Sequence, residues 1–286
     1  MKYNYLSDLA INKFINNALV EDIGDGDHST LAAVPENAQK KAQLIIKDDG
    51  LLAGISLAQK IFKVVDPDLS IEIKKEDGEK VNYGEIGFIV SGKAQSILTA
   101  ERLVLNCMQR MSGIATLTAK LTALINHTKA QLLDTRKTTP NCRLIEKWAV
   151  KLGGGTNHRF GLFDMIMLKD NHIDFSGSIT KAVQSTQLYL KENNKQLKIE
   201  VEVRNLAEVK EALEVGGVDV IMLDNMSNAE MREAVQVIGN KCKTEASGGI
   251  TEETIKAIAE TGVDFISVGA LTHSVKSMDI SLKAFD

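Results

Sequence analysis

Cysteine is scarce in this chain. There are three among 286 residues, Cys107, Cys142 and Cys242, and they lie far apart. An odd count with no paired spacing argues against a disulfide framework and fits reduced thiols in a cytoplasm. None stands in a Cys–His arrangement, so Cys107 and Cys142 are expected to pack rather than react. No CxxC or HExxH pattern is present, which removes the common zinc sites. No apolar run reaches the length of a membrane span. The N-terminal MKYNYLSDLAINKF lacks the apolar core of a signal peptide, so a cytoplasmic location without a membrane partner is expected. Positive charge is not in excess either. A net charge of −4 and a pI near 5.8 argue against a nucleic-acid or membrane binder.

Against that acidic background one segment, residues 132–172, gathers Arg136, Lys137, Arg143, Lys147, Lys151, Arg159 and Lys169 with His158 and His172. Arg136-Lys137 and His158-Arg159 lie beside turn-forming residues, and Lys169 directly follows an apolar run that reads as a strand. Cations at turns and strand ends converge on a point more readily than cations along a helix face. A pocket for a small, multiply charged anion is the expectation. Arg143, Lys147 and Lys151 recur at spacing four and read as one solvated helix face, offset by Glu146, outside that pocket.

The rhythm of the chain changes along its length. Ser7 is placed to cap an amphipathic helix. Residues 40–93 read as short elements: AQLIIK and GFIVSG as strands, ISLAQKIFKVV as a helix. Residues 96–127 have helical periodicity, with Ser112-Gly113 a candidate break between two connector helices. Beyond about residue 115, apolar runs (QLLDT, MIMLK, KIEVEV, VDVIML, KTEAS, VDFISVG) alternate with helical stretches at 205–215, 229–238 and 252–261. Such alternation implies a parallel sheet covered by helices. Six strands are too few for a closed eight-unit barrel, which typically needs about 250 residues. The predicted fold class is α/β: an N-terminal α+β domain (1–114) and an open, incomplete α/β barrel of about six parallel strands (115–272), with a tail (273–286) packing back on the first domain.

Polar residues recur at the ends of those strands, the face on which parallel barrels bind ligands. Asp134, Arg136 and Lys137 close the first strand, and Lys169 and Asp170 follow the second. Glu200 and Glu202 sit in the third, on one sheet face. Asp224 and Asn225 follow the fourth, Ser247-Gly248-Gly249 the fifth and Gly269-Ala270 the sixth. The glycine turn and a helix starting near Thr251 offer backbone amides and a helix dipole to a phosphate. Glu202 with Asp224 can hold Mg²⁺ or stabilise positive charge developing on a sugar, although a carboxylate of the Glu200/Glu202 pair can equally serve a structural ion pair. His158-Arg159 follows three glycines, and His and Arg together suit a carboxylate.

In this order the residues resemble the quinolinate phosphoribosyltransferase family, also called nicotinate-nucleotide pyrophosphorylase (carboxylating). The resemblance covers nearly the whole chain. It runs through EDIGDGDHST, AERLVLNCMQRMSGIAT, DTRKTTP, KLGGGTNHRFGLFDMIMLKDNH, EVEV, IMLDN, EASGGI and VGALTHS. Only Trp148 departs from the pattern, standing where a smaller aromatic is expected.

The resemblance implies attack of the quinolinate ring nitrogen on C1 of phosphoribosyl pyrophosphate, departure of pyrophosphate with Mg²⁺, and loss of the 2-carboxylate as CO₂. No organic cofactor is implied. Arg136, His158, Arg159 and Lys169 would hold the quinolinate carboxylates, with His273 lining the pocket and Lys137 between the substrates. Arg102 would reach the neighbouring subunit's site in a homodimer, itself able to assemble further. Glu202 and Asp224 would face ribose and metal, while Ser247, Gly248, Gly249, Gly269 and Ala270 would hold the 5′-phosphate. Three rivals remain: a same-fold paralogue such as the molybdenum-associated homologues, a non-catalytic phosphosugar-binding regulator, and an aldolase using Lys169 as a Schiff base.

Overall fold

The computed structural model describes residues 5–285, which fall into two compact units. Residues 120–137 and 155–270 make one. The remainder makes the other, including residues 138–154 and the C-terminal stretch from Leu271.

The first unit is a six-stranded, wholly parallel open sheet. Its order is Gln131–Leu133, Phe265–Ser267, Lys243–Ser247, Val220–Asp224, Ile199–Val203, Ile166–Leu168. The apolar runs that betrayed these strands are buried, among them Val201, Val203, Ile221, Leu223, Ala246 and Ile266. Burial on both faces is what a helix-covered parallel sheet demands of its strands. Three of the intervening helices begin where the sequence supplies a cap. Ser178 opens Ile179–Glu192, Asn205 opens Leu206–Val215, and Ser227 with Glu230 forms a reciprocal box opening Asn228–Ile238. The mixed α/β architecture expected from the strand–helix rhythm is thus present, with a separate antiparallel sheet in the second unit.

Asp264 ties three of these strands together at their starts. Its carboxylate accepts from Lys129 at 3.1 Å, Lys243 at 3.0 Å, and the amide and hydroxyl of Thr244, each at 3.0 Å. Partial burial opposes ionisation, but the bonds from Lys243, Thr244 and Lys129 outweigh it and hold the pKa at about 2, below the ordinary 3.8. A depressed folded pKa contributes stability that is present above the unfolded value and lost as pH falls through about 2. Asp264→Asn is therefore expected to cost about 1–2 kcal/mol at pH 7, allowing for screening by the exposed lysines. Urea titrations at pH 7 and pH 2 check it. An equal loss at both pH values would rule out the carboxylate charge as the source.

The second unit is built on a four-stranded antiparallel sheet in the order Ile280–Phe285, Gln39–Ile46, Ile86–Lys93, Ser70–Ile73. The helix Ile55–Val65 buries Ile55, Leu57, Ala58, Ile61 and Phe62, and Phe62 meets Phe88 edge-to-face at 5.8 Å. Ser7 caps the helix Asp8–Ile23 by accepting the amide of Ala10.

Two sequence expectations fail here. Residues 94–125 form a single helix, unbroken at Ser112-Gly113. Those residues serve close packing instead. The buried Ser112 hydroxyl accepts the Ala53 amide at 2.9 Å and donates to its carbonyl, and a Cβ on Gly113 would lie 2.2 Å from the Lys276 carbonyl oxygen. Nor do Arg143, Lys147 and Lys151 form a solvated face. Lys147 and Glu146 are fully buried, Arg143 is half-buried and only Lys151 is exposed. Spacing of four puts residues on one face but does not say that the face is wet.

Candidate active site

The carboxyl ends of the six parallel strands carry the polar residues. Asp134, wholly buried just past Gln131–Leu133, accepts the His158 amide at 2.8 Å and the Asn157 side chain at 2.6 Å. Thr156 donates its amide to the Leu132 carbonyl and accepts from the Asp134 amide, so the segment after the three glycines lies alongside this strand. These bonds place His158 and Arg159 next to the Arg136-Lys137 turn. Arg136 is half-buried and Lys137 exposed. Burial and the neighbouring Arg136 charge lower the Arg159 guanidinium from its usual range, against the pull of Glu200 and Asp164. Its Nη1 donates to the Met165 carbonyl at 3.2 Å.

Lys169, directly after Ile166–Leu168, pairs with the carboxylate of Glu202 on the adjacent strand. Glu202 is buried with 8% of its surface exposed. Asp224 ends Val220–Asp224 in register with Ser247, and its Oδ2 accepts from the Asn225 side chain at 2.7 Å. Asn225 itself sits at φ 53° and donates its amide to the Ser247 carbonyl. Ser247-Gly248-Gly249 then turns the chain. Gly248 has φ +95°, and a Cβ there would lie 2.1 Å from Asn225 Oδ1. Any other residue there would be strained at that φ and would have to displace the Asn225 amide. The helix expected from Thr251 starts only at Ile255 and runs five residues, after a turn in which the Thr251 amide donates to the Thr254 hydroxyl at 2.9 Å. Gly269 and Ala270 follow Phe265–Ser267 in the neighbouring strand.

Twelve of the fourteen residues to which the resemblance gives a role lie in this one unit: Arg136, Lys137, His158, Arg159, Lys169, Glu202, Asp224, Ser247, Gly248, Gly249, Gly269 and Ala270. Arg102 and His273 belong to the other. Arg102 is largely exposed, lies 3.4 Å from Glu101, and lines a cleft of 310 Å³ with Asp22, Asp27, His28 and Thr99. His273 is exposed and bonded to Ser274.

Glu245 escaped the sequence reading, whereas Glu200 takes the structural pairing that was one of the roles open to it. Each is 1% exposed, and both approach His158 Nε2, Glu200 at 3.1 Å and Glu245 at 3.4 Å. Burial alone would depress the imidazole, while its bonds to Glu200 and Glu245 oppose that and favour a proton on Nε2; the Arg159 amide, donated to Nδ1 at 2.7 Å, keeps that nitrogen unprotonated. Burial likewise raises Glu200, against its bond to His158. A glutamate inside a β-run was itself a signal, since Glu is depleted in strands. No thiol is activated: burial pushes Cys107 up to about 12 and raises Cys142 and Cys242.

A parallel α/β sheet whose strand ends pair a cationic pocket with carboxylates and a glycine turn defines an enzyme that joins an acidic acceptor to a phosphorylated donor. Two family models match the chain, the quinolinate phosphoribosyl transferase N-terminal domain over residues 27–112 and its C-terminal domain over residues 114–283. Quinolinate phosphoribosyltransferase [decarboxylating] 1b of Nicotiana tabacum is 51% identical over 281 residues, covering 93% of this chain and 80% of that protein. The probable nicotinate-nucleotide pyrophosphorylase [carboxylating] of Bacillus subtilis is 40% identical over 277 residues, covering 97% and 94%. The solved nicotinate-nucleotide pyrophosphorylase of Francisella tularensis superposes with a TM-score of 0.88 at 41% identity, covering 96% of each chain. The chain belongs to the quinolinate phosphoribosyltransferase family.

Proposed function

We infer that this protein transfers phosphoribosyl from phosphoribosyl pyrophosphate to quinolinate with decarboxylation. The products are nicotinate mononucleotide, pyrophosphate and CO₂, and the reaction enters NAD biosynthesis. The single observation that carries this is the convergence, in one unit, of Arg136, Lys137, Arg159 and Lys169 with Glu202, Asp224 and the Ser247–Gly249 turn.

Both substrates are polyanions, so the site's first task is to offset their repulsion. Arg136, Arg159 and Lys169 grip the quinolinate carboxylates, with His158 beside them. Lys137 lies between acceptor and donor. The ring nitrogen attacks C1 as the bond to pyrophosphate breaks, and both bonding electrons leave with pyrophosphate. Positive charge grows on the ribose, and Glu202 and Asp224 stabilise it electrostatically. The ring nitrogen is then cationic, so the electrons released when the 2-carboxylate departs as CO₂ are held beside a positive charge. A proton from solvent completes the product. The protein's part is orientation and charge neutralisation.

Glu202 and Asp224 offer hard oxygens at neighbouring strand ends, the donor type that Mg²⁺ takes. They are the residues that would hold the ion, and bound there it would supply positive charge against the pyrophosphate. The amides of Gly248, Gly249, Gly269 and Ala270, with the Ser247 hydroxyl, hold the 5′-phosphate. Arg102 serves the neighbouring subunit's site in a homodimer, and light scattering that finds only monomers would remove this part. Among the described residues no helix is long and apolar enough to cross a membrane, and a cytoplasmic location is our reading.

Incubation with Mg²⁺, phosphoribosyl pyrophosphate and quinolinate labelled at its 2-carboxyl is expected to release labelled CO₂. No release, or preference for nicotinate as acceptor, overturns the assignment. Gly248→Ala tests the phosphate corner. The clash with Asn225 should raise KM for phosphoribosyl pyrophosphate about tenfold or more while sparing KM for quinolinate.

A further inference from the structure

The buried glutamates Glu200 and Glu245 have no part in the chemistry above. They stand on strands separated only by Val220–Asp224, on the sheet face that also carries Glu202. Two carboxylates in a barrel interior carry a desolvation penalty of several kcal/mol each, where valine or leucine would pack without one. Their partner explains their presence. His158 Nε2 faces both, at 3.1 and 3.4 Å. Its Nδ1 accepts the amide of Arg159 at 2.7 Å, and its own amide is held by Asp134. Both ring nitrogens are thus engaged within the protein. A ring so held acts as a post to which the Arg159 backbone is moored.

The three groups offer donor atoms that all lie within 4.8 Å of one another, and the 3.1 and 3.4 Å separations from Nε2 are hydrogen-bond distances.

We propose that Glu200 and Glu245 are positioning residues for the acceptor: they fix the His158 ring and, through its bond to the following amide, aim the Arg159 guanidinium at a quinolinate carboxylate. This rests on the reading of quinolinate as substrate. It assigns His158 a supporting part, with Arg159 making the grip.

Glu245→Leu and Glu245→Gln separate this from a merely structural role. Leucine removes the acceptor, while glutamine keeps a carbonyl oxygen for Nε2–H. The expected result is a KM for quinolinate raised about tenfold or more in the leucine variant and within about threefold of the parent in the glutamine variant, with KM for phosphoribosyl pyrophosphate unchanged in both. On the resting protein, ¹⁵N spectra should show His158 protonated at Nε2 and unprotonated at Nδ1 in the parent and the glutamine variant, and mixed tautomers in the leucine variant. An unchanged quinolinate KM in Glu245→Leu overturns the proposal. So does an equal rise of both KM values with a fall in Tm. A parent that releases no CO₂ sinks the substrate reading instead, and the histidine spectrum still decides the geometry.

Discussion

Lys137→Ala should lower turnover roughly 100-fold or more while leaving thermal stability within about 0.5 kcal/mol of the parent. The two halves of this expectation have separate grounds. Lys137 is exposed and its backbone amide is held by Thr135 Oγ1 at 3.0 Å, so removing its side chain costs little packing. Its charge is a different matter. It follows Arg136 just past the first parallel strand, on the side where our reading brings quinolinate and phosphoribosyl pyrophosphate together. A fixed ammonium there offsets the repulsion of two polyanions as they close, and that is needed more in the transition state than in either binary complex. The loss should therefore fall on kcat. Near-normal turnover by a folded Lys137→Ala protein would remove Lys137 from the mechanism.

Glu146→Ala should cost about 3–5 kcal/mol of stability, a large share of the roughly 5–15 kcal/mol that keeps a domain folded. Glu146 is wholly buried. Its Oε1 accepts from Arg110 Nε at 3.1 Å and Nη2 at 2.9 Å, and its Oε2 accepts the Thr139 amide at 3.1 Å. Arg110 also donates to the carbonyls of Thr272 and Val275. One carboxylate thereby joins three stretches of the same unit: the long helix, the 138–154 segment and the chain beyond Leu271. Alanine leaves a mostly buried guanidinium uncompensated and an amide without its acceptor. Glu146→Gln keeps oxygen for one of these donors and should lose about half as much. The check is a fall in the urea midpoint at constant m-value. An unchanged midpoint in Glu146→Ala would show that the pair contributes nothing.

The barrel strands were legible because each is an apolar run too short for a helix and flanked by polar residues, as in KIEVEV before Arg204. KTEAS is a strand from its first residue to its last, Lys243–Ser247, and ISLAQKIFKVV is a helix over its full length. The site was legible for the same reason, because residues at strand ends must share one face. What pattern could not give is the depth of a face. Lys147 and Glu146 sit in a helix whose spacing suits a wet surface, and the structure buries both, Glu146 against Arg110. Glu245 was hidden in a strand whose other residues look unremarkable, because its partner His158 lies 87 positions earlier in the sequence. Long-range ion pairs of this kind are set by tertiary contact and leave no local period. Glu200 and Glu202 share a sheet face, yet one meets His158 and the other Lys169. Periodicity put them together, and only geometry told them apart.

The antiparallel sheet has a consequence for synthesis. Gln39–Ile46 pairs on one side with Ile86–Lys93 and on the other with Ile280–Phe285, in a register that joins Ile46 to Ile280. Those partners are 234 positions apart. At about 5–20 residues per second, a ribosome needs roughly 10–50 s to make the intervening chain. Through that interval the strand has a partner on one side only and presents an open row of amides and carbonyls, a template for unwanted pairing. Lys40, Lys41 and Gln43 on this strand are charged or polar, the kind of residue that discourages such pairing while the nascent chain waits for its last strand.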